Sequence, residues 1–132
     1  MSIHYSFNKN MILELCCENI ESVEAAVLGG GNRIELCRNL EVGGLTPDRE
    51  LTRQAVKCCH EGGLSVQVLI RSRGGDFVYT DDEVEQMAED IRMAIIDEKA
   101  DGIVIGALTK EGDIDLEACR KWMDIVRQPD GT

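Results

Sequence analysis

Two short stretches of this 132-residue chain place the same reactive side chains at the same offset. Leu13-Glu14-Leu15-Cys16 recurs as Ile34-Glu35-Leu36-Cys37, each in an apolar run of strand length. Because side chains alternate along a strand, Glu14 and Cys16 share one face, as do Arg33, Glu35 and Cys37. Neighbouring parallel strands run about 4.8 Å apart, so in comparable register Cys16 and Cys37 come within reach of one soft metal ion. Two thiolates suit Cu(I). The competing assignment is that both are core-filling cysteines, since no His or Met completes an obvious metal site.

The charged residues form a second candidate set. Gln67, Leu69, Arg71 and Arg73 alternate onto one face of a later apolar run, with both arginines at its C-terminal end. Glu14 and Glu35 are candidate acid/base groups for proton transfer. The guanidinium forks of Arg71 and Arg73 suit a small anionic substrate carrying a phosphate or carboxylate. Gly74, Gly75 and Asp76, followed by Phe77, add backbone N–H groups that can hold the same anion. Glu and Arg inside a β core are costly unless they pair, so a self-satisfied ion-pair network is the alternative.

The elements that must position these residues alternate in type. Apolar runs at 11–17, 33–37, 65–70 and 102–108 read as buried parallel strands. Between them lie amphipathic stretches. Ile20 to Leu28 has Asn19 as its N-cap and stops at Gly29-Gly30-Gly31. Pro47 to Glu61 is capped by Thr46, with Pro47 in the first turn and Leu51, Ala55, Cys58 and Cys59 as the apolar stripe. Thr80-Asp81-Asp82-Glu83 has capping-box spacing and opens a helix whose inner face is Val84, Met87, Ile91, Ala94 and Ile95. A fourth helix, from about Leu116 to Val126, has Asp115 as cap, Leu116, Cys119, Met123 and Val126 inward, and Trp122 near the edge.

This β-α alternation predicts an α/β fold with parallel strands and right-handed crossovers. An open nucleotide-binding sheet usually carries its Gly-rich turn directly after the first strand, but Cys17-Glu18-Asn19 stands there instead. Polar residues inside the strands and at their C-terminal ends favour the TIM (β/α)8-barrel family, with only about four β-α units present. The division expected is a lead-in at 1–10, which contains His4, and a partial barrel domain at 11–132. His60, at a helix end beside Glu61, is expected to serve the helix dipole. Asp81, Asp82, Glu83, Glu85, Glu89 and Asp90 form an acidic face expected to be solvated.

Composition bounds the partners. There are 14 Lys+Arg against 25 Asp+Glu, a net charge of −11, and no basic cluster, which argues against nucleic acid. No apolar run has membrane-spanning length, and the N-terminus lacks a signal-peptide pattern, so a cytoplasmic protein with no membrane partner is expected. Its six cysteines include two adjacent doublets and no CxxC pair, an awkward layout for disulfides, and are expected to be reduced.

LELC near the start, GGGNRIELCRNLEVGGLTP, LIRSRGGDFVYTDDE and ADGIVIGALTKEGDID together resemble the copper homeostasis protein CutC family. The resemblance runs from about Met11 to about Met123. It implies a (β/α)8 barrel in the cytoplasm and a role in copper homeostasis, with Cys16 and Cys37 as Cu(I) ligands and copper(I) the bound metal. Arg71, Arg73, Gly74, Gly75, Asp76 and Phe77 match a family loop in which Ser72 replaces a proline, and Cys17 stands where the family usually has another residue. Family members are about twice as long, and a further F-H-R-A-F-D strand is expected just where this sequence stops. A truncated chain, a fragmentary gene product and a dimerising half-barrel are the explanations, in that order. The functional alternatives are a barrel enzyme of unnamed reaction acting on a small anion, and an inactive barrel fragment. A homo-oligomer is expected, because open sheet edges and a bare inner face must be covered.

Overall fold

The computed structural model describes residues 10–128. His4 and almost all of the 1–10 lead-in therefore lie outside the described residues. Four β-α units follow one another: β1 Glu14–Cys17, α1 Ile20–Leu28, β2 Arg33–Leu36, α2 Arg49–Glu61, β3 Ser65–Leu69, α3 Asp81–Arg92, β4 Gly102–Val104 and α4 Leu116–Arg127. The strands form one parallel sheet in the order β1-β2-β3-β4. A strand order that follows the chain without a switch point is the arrangement of a (β/α)8 barrel rather than of a doubly wound sheet.

Local chemistry sets the helix starts. The Asn19 side chain accepts the Ser22 N–H while Ser22 Oγ accepts that of Asn19, closing a capping box on α1. Thr80 and Glu83 do the same for α3, and Asp115 caps α4 through the Ala118 N–H. For α2 the cap is Asp48, which accepts from Leu51 at 2.7 Å, and not Thr46. Thr46 is taken by the end of β3: its Oγ accepts the Arg71 N–H at 2.8 Å, and its own N–H donates to the Arg71 carbonyl. Pro47 thus precedes the cap instead of opening the helix.

The core lies between the sheet and the helices. From β1, β2 and β3 it takes only Leu15, Cys17, Ile34, Leu36, Val66 and Val68, the helix-facing half of each strand. Each fully buried aliphatic side chain contributes about 1.5–3 kcal/mol by leaving water. The phase of α4 differs from expectation. Ala118, Trp122 and Ile125 are its buried residues, whereas Leu116 and Met123 are exposed. Trp122 is fully enclosed, with its indole N–H donating to the Val84 carbonyl at 3.1 Å and its ring edge-on to Tyr79. That hydrogen bond and the size of the ring explain why it points inward.

The other strand residues of β1–β3, Glu14, Cys16, Arg33, Glu35, Ser65, Gln67 and Leu69, alternate with these and face away from the helices. The register pairs Glu14 with Arg33, Cys16 with Glu35 and Glu35 with Gln67. Aligning the repeat would instead set Glu14 against Glu35, so β2 is displaced by two residues relative to it. Stagger of this kind is what tilted barrel strands require. Among the described residues no helix is long and apolar enough to cross a membrane.

A candidate functional site at the strand ends

The stagger decides which side chains meet. Glu14 lies opposite Arg33 and ion-pairs with it. Cys16 and Cys37 are diagonal rather than direct neighbours, yet their sulfurs stand 3.9 Å apart at the C-terminal ends of β1 and β2. A thiolate–zinc bond is about 2.3 Å, so two sulfurs on one ion of that size sit ~3.8 Å apart at the tetrahedral angle and ~4.6 Å apart when collinear. At 3.9 Å the two thiols share a hydrogen bond, at a spacing near that of a tetrahedral pair and short of a collinear one. Among the described residues no group of three or more His, Cys, Asp or Glu side chains is placed to hold a metal, so the thiols stand as a two-ligand set. Soft sulfur donors are of the type that suits Cu(I).

The two thiols differ in setting. Cys16 is exposed, whereas Cys37 is 1% exposed. Burial pushes the Cys37 thiol up to about 12, and neighbouring Cys16, Glu35 and Glu18 add to the shift. A bound metal must displace that proton, which a soft cation does because a coordinated thiol ionises outright.

Glu35 lies on the same face. Its carboxylate makes no hydrogen bond or ion pair among the described residues, and burial followed by the charge of Glu14 raises its pKa. Gln67 extends over Gly102, where a Cβ would stand 2.2 Å from its Oε1. Glycine in β4 therefore makes room for the amide.

Both arginines are engaged by the protein itself. Arg71 Nη1 donates to the carbonyls of Val42 and Gly44 at 2.8 and 3.0 Å, Nη2 donates to that of Gly75 at 2.9 Å, and the guanidinium lies 4.9 Å from the Phe77 ring. Its Nε is buried without a partner. Arg73 donates to the carbonyls of Gly74, Asp76 and Val78 and to Glu83, over the Tyr79 ring. The Gly74-Gly75-Asp76 loop thus turns carbonyls toward two guanidinium groups. The N–H groups of Gly74, Gly75, Asp76 and Phe77 make no hydrogen bond among the described residues.

Other expectations need correction. Of the acidic face on α3, Glu83 pairs with Arg73, Glu85 with Lys121 and Glu89 with Arg92, and Asp90 accepts from Gln86. Only part of that face is simply solvated, because basic residues of the adjoining loop and α4 reach it. His60 pairs with Asp101 at 2.8 Å, and that same carboxylate oxygen accepts the Val66 N–H, so the ring is tied to the sheet as well as to its helix end. Sequence reasoning also missed the loop between β2 and α2. A 3₁₀ turn at Leu40–Val42 leads to Gly43 and Gly44, both left-handed, and Gly44 packs on Cys37. The Gly-Gly pair was the available signal.

Comparison with known proteins places this site in context. The CutC family model matches residues 11–130. A human protein named copper homeostasis protein cutC homolog is 44% identical over 119 residues, which are 88% of this chain and 41% of that one. A Pasteurella multocida family protein CutC is 47% identical over 109 residues, 83% of this chain and 43% of that one. The crystal structure of a CutC protein from Streptococcus agalactiae superposes with a TM-score of 0.83 at 41% identity, over 89% of this chain and 56% of that one. This chain spans about two-fifths of the length of those two curated relatives.

Proposed function

The chain belongs to the CutC family, and on that premise we propose that it acts in copper homeostasis, holding Cu(I) between Cys16 and Cys37. The observation that carries this reading is the pair of sulfurs 3.9 Å apart at adjacent strand ends, one exposed and one buried. Six free thiols accord with a reducing compartment, the cytoplasm. Among the described residues β1 and β4 each pair on one side only; we propose that a further copy of the chain covers those edges, and a sedimentation measurement of solution mass checks that part.

The direct test is an anaerobic Cu(I) titration of reduced protein against a competing chelator. One ion per chain, bound tightly by the wild type and lost in Cys16→Ser/Cys37→Ser, is the expected result. Unchanged binding in the double variant would sink the assignment.

Glu35 favours a second reading, an enzyme acting on a small phosphate or carboxylate compound. An unpaired carboxylate with a raised pKa on an open face is suited to proton transfer. With Arg71 and Arg73 already engaged, the free N–H groups from Gly74 to Phe77 are the better anchor for the anion. This reading expects inorganic phosphate or a small dicarboxylate to raise the melting temperature of the wild type. No shift at millimolar ligand would remove it.

A further inference from the structure

Cys37 is buried outside the core cluster between sheet and helices, with the loop that follows β2 against it. The loop closes at its base through paired backbone hydrogen bonds between Arg38 and Leu45, at 3.0 and 2.7 Å. Its 3₁₀ turn is held on one side by Glu18, which accepts the Leu40 N–H at 3.0 Å. Beside that base, Gly44 donates its N–H to the Asn39 carbonyl at 3.1 Å and lies against the thiol: a Cβ there would be 3.6 Å from Cys37 Sγ and 2.9 Å from Leu69 Cδ2. To these backbone bonds Arg71, 8% exposed and just past the end of β3, adds a side-chain hold by gripping the carbonyls of Val42 and Gly44.

We propose that Arg71 is a positioning residue for the thiol pair: its hold on the Val42 and Gly44 carbonyls keeps Gly44 over Cys37, so that of the two thiols Cys16 alone meets solvent. The functional meaning rests on the copper reading above. Cu(I) carried as a bis-thiolate of a low-molecular-weight thiol exchanges one ligand at a time. Cys16 displaces the first carrier thiolate and Cys37 the second. Each cysteine proton leaves with the departing carrier thiol, and copper stays Cu(I) throughout. Arg71 sets the order of the two exchanges and slows the reverse of the second.

Alkylation of metal-free, reduced protein tests the proposal without using copper. Iodoacetamide labelling would be followed by peptide mass spectrometry in the wild type, Arg71→Ala and Arg71→Lys. Cys17 and Cys59, buried against the helices, serve as internal standards. In the wild type Cys16 should label at least about tenfold faster than Cys37, as expected when reaction must wait for local opening. In the variants Cys37 should speed up by about tenfold while Cys17 and Cys59 stay slow, since only the loop has been released. Where Arg71→Ala does not fold, Arg71→Lys is decisive, because an ammonium cannot reproduce the planar fork that holds separate carbonyls. Equal labelling of Cys16 and Cys37 in the wild type, no change at Cys37 in the variants, or a parallel rise at all three buried thiols would each overturn the positioning role. A failed copper titration beside this labelling pattern removes the copper reading alone.

Discussion

Cys16 and Cys17 are adjacent in the chain and opposite in circumstance. Cys17 is 2% exposed and belongs to the core between sheet and helices, while Cys16 looks out from the other face. Cys37 is buried as deeply as Cys17, but under a glycine loop held by its own backbone hydrogen bonds and by the side chains of Glu18 and Arg71. The helix side buries its residues redundantly, through many apolar neighbours. The other side buries Cys37 through polar contacts, two of which, to the Val42 and Gly44 carbonyls, a substitution of Arg71 removes. Redundant burial makes a scaffold, and conditional burial leaves a thiol that can still react.

The sharpest way to break this contrast is to delete the largest residue of the helix side. Trp122→Ala should cost about 3–5 kcal/mol in urea denaturation, because it leaves a large cavity and removes the indole hydrogen bond to the Val84 carbonyl. Glu35→Gln on the opposite face should fall within about 0.5 kcal/mol, since among the described residues nothing is paired to that carboxylate. Similar losses for both would erase the distinction. Next in size, Cys17→Ser should cost about 1–3 kcal/mol by burying a hydroxyl in the core. Cys16→Ser, one residue away, should be close to neutral, and the same denaturation series checks it.

A smaller effect comes from pH. Burial pushes the Cys59 thiol up to about 11, whereas an unfolded cysteine titrates near 8.5. The folded state therefore keeps a proton that the unfolded state loses. The resulting stability is complete below about pH 8.5 and is lost as the pH rises toward 11. Under reducing conditions the denaturation midpoint should fall over that window in the wild type and fall less in Cys59→Ala. The smallest change expected is at Glu98, whose pKa is raised by burial despite Arg49. Its charged form is disfavoured in the fold, so Glu98→Gln should leave stability at pH 7 unchanged or slightly higher, as a thermal melt would read.

Much of the scaffold was legible because it is written in local chemistry. Asn19, Thr80 and Asp115 cap the helices that their spacing announces, and the helix-facing half of each strand follows from the two-residue period. The misreadings occur where a distant residue competes. Thr46 is a good cap by type, but the backbone of Arg71 claims it from another strand. Trp122 turns inward because the Val84 carbonyl on α3 accepts its indole N–H. At the site, the shared face of Glu14, Cys16, Glu35 and Cys37 was readable from alternation. The register was not, because the repeat suggests alignment where strand tilt imposes a shift. Nor could spacing reveal that Arg71 and Arg73 turn inward to carbonyls, since those partners lie on loops whose shape the arginines themselves determine.

The central claim is that the two thiols together take one copper ion. X-ray absorption spectroscopy of the Cu(I)-loaded chain, in the wild type and in Cys37→Ser, tests it most directly. The account predicts a low-coordinate Cu(I) with two sulfur neighbours in the wild type and a loss of one of them in the variant. An unaltered sulfur shell in Cys37→Ser, or a wild-type shell made of nitrogen and oxygen, would contradict it.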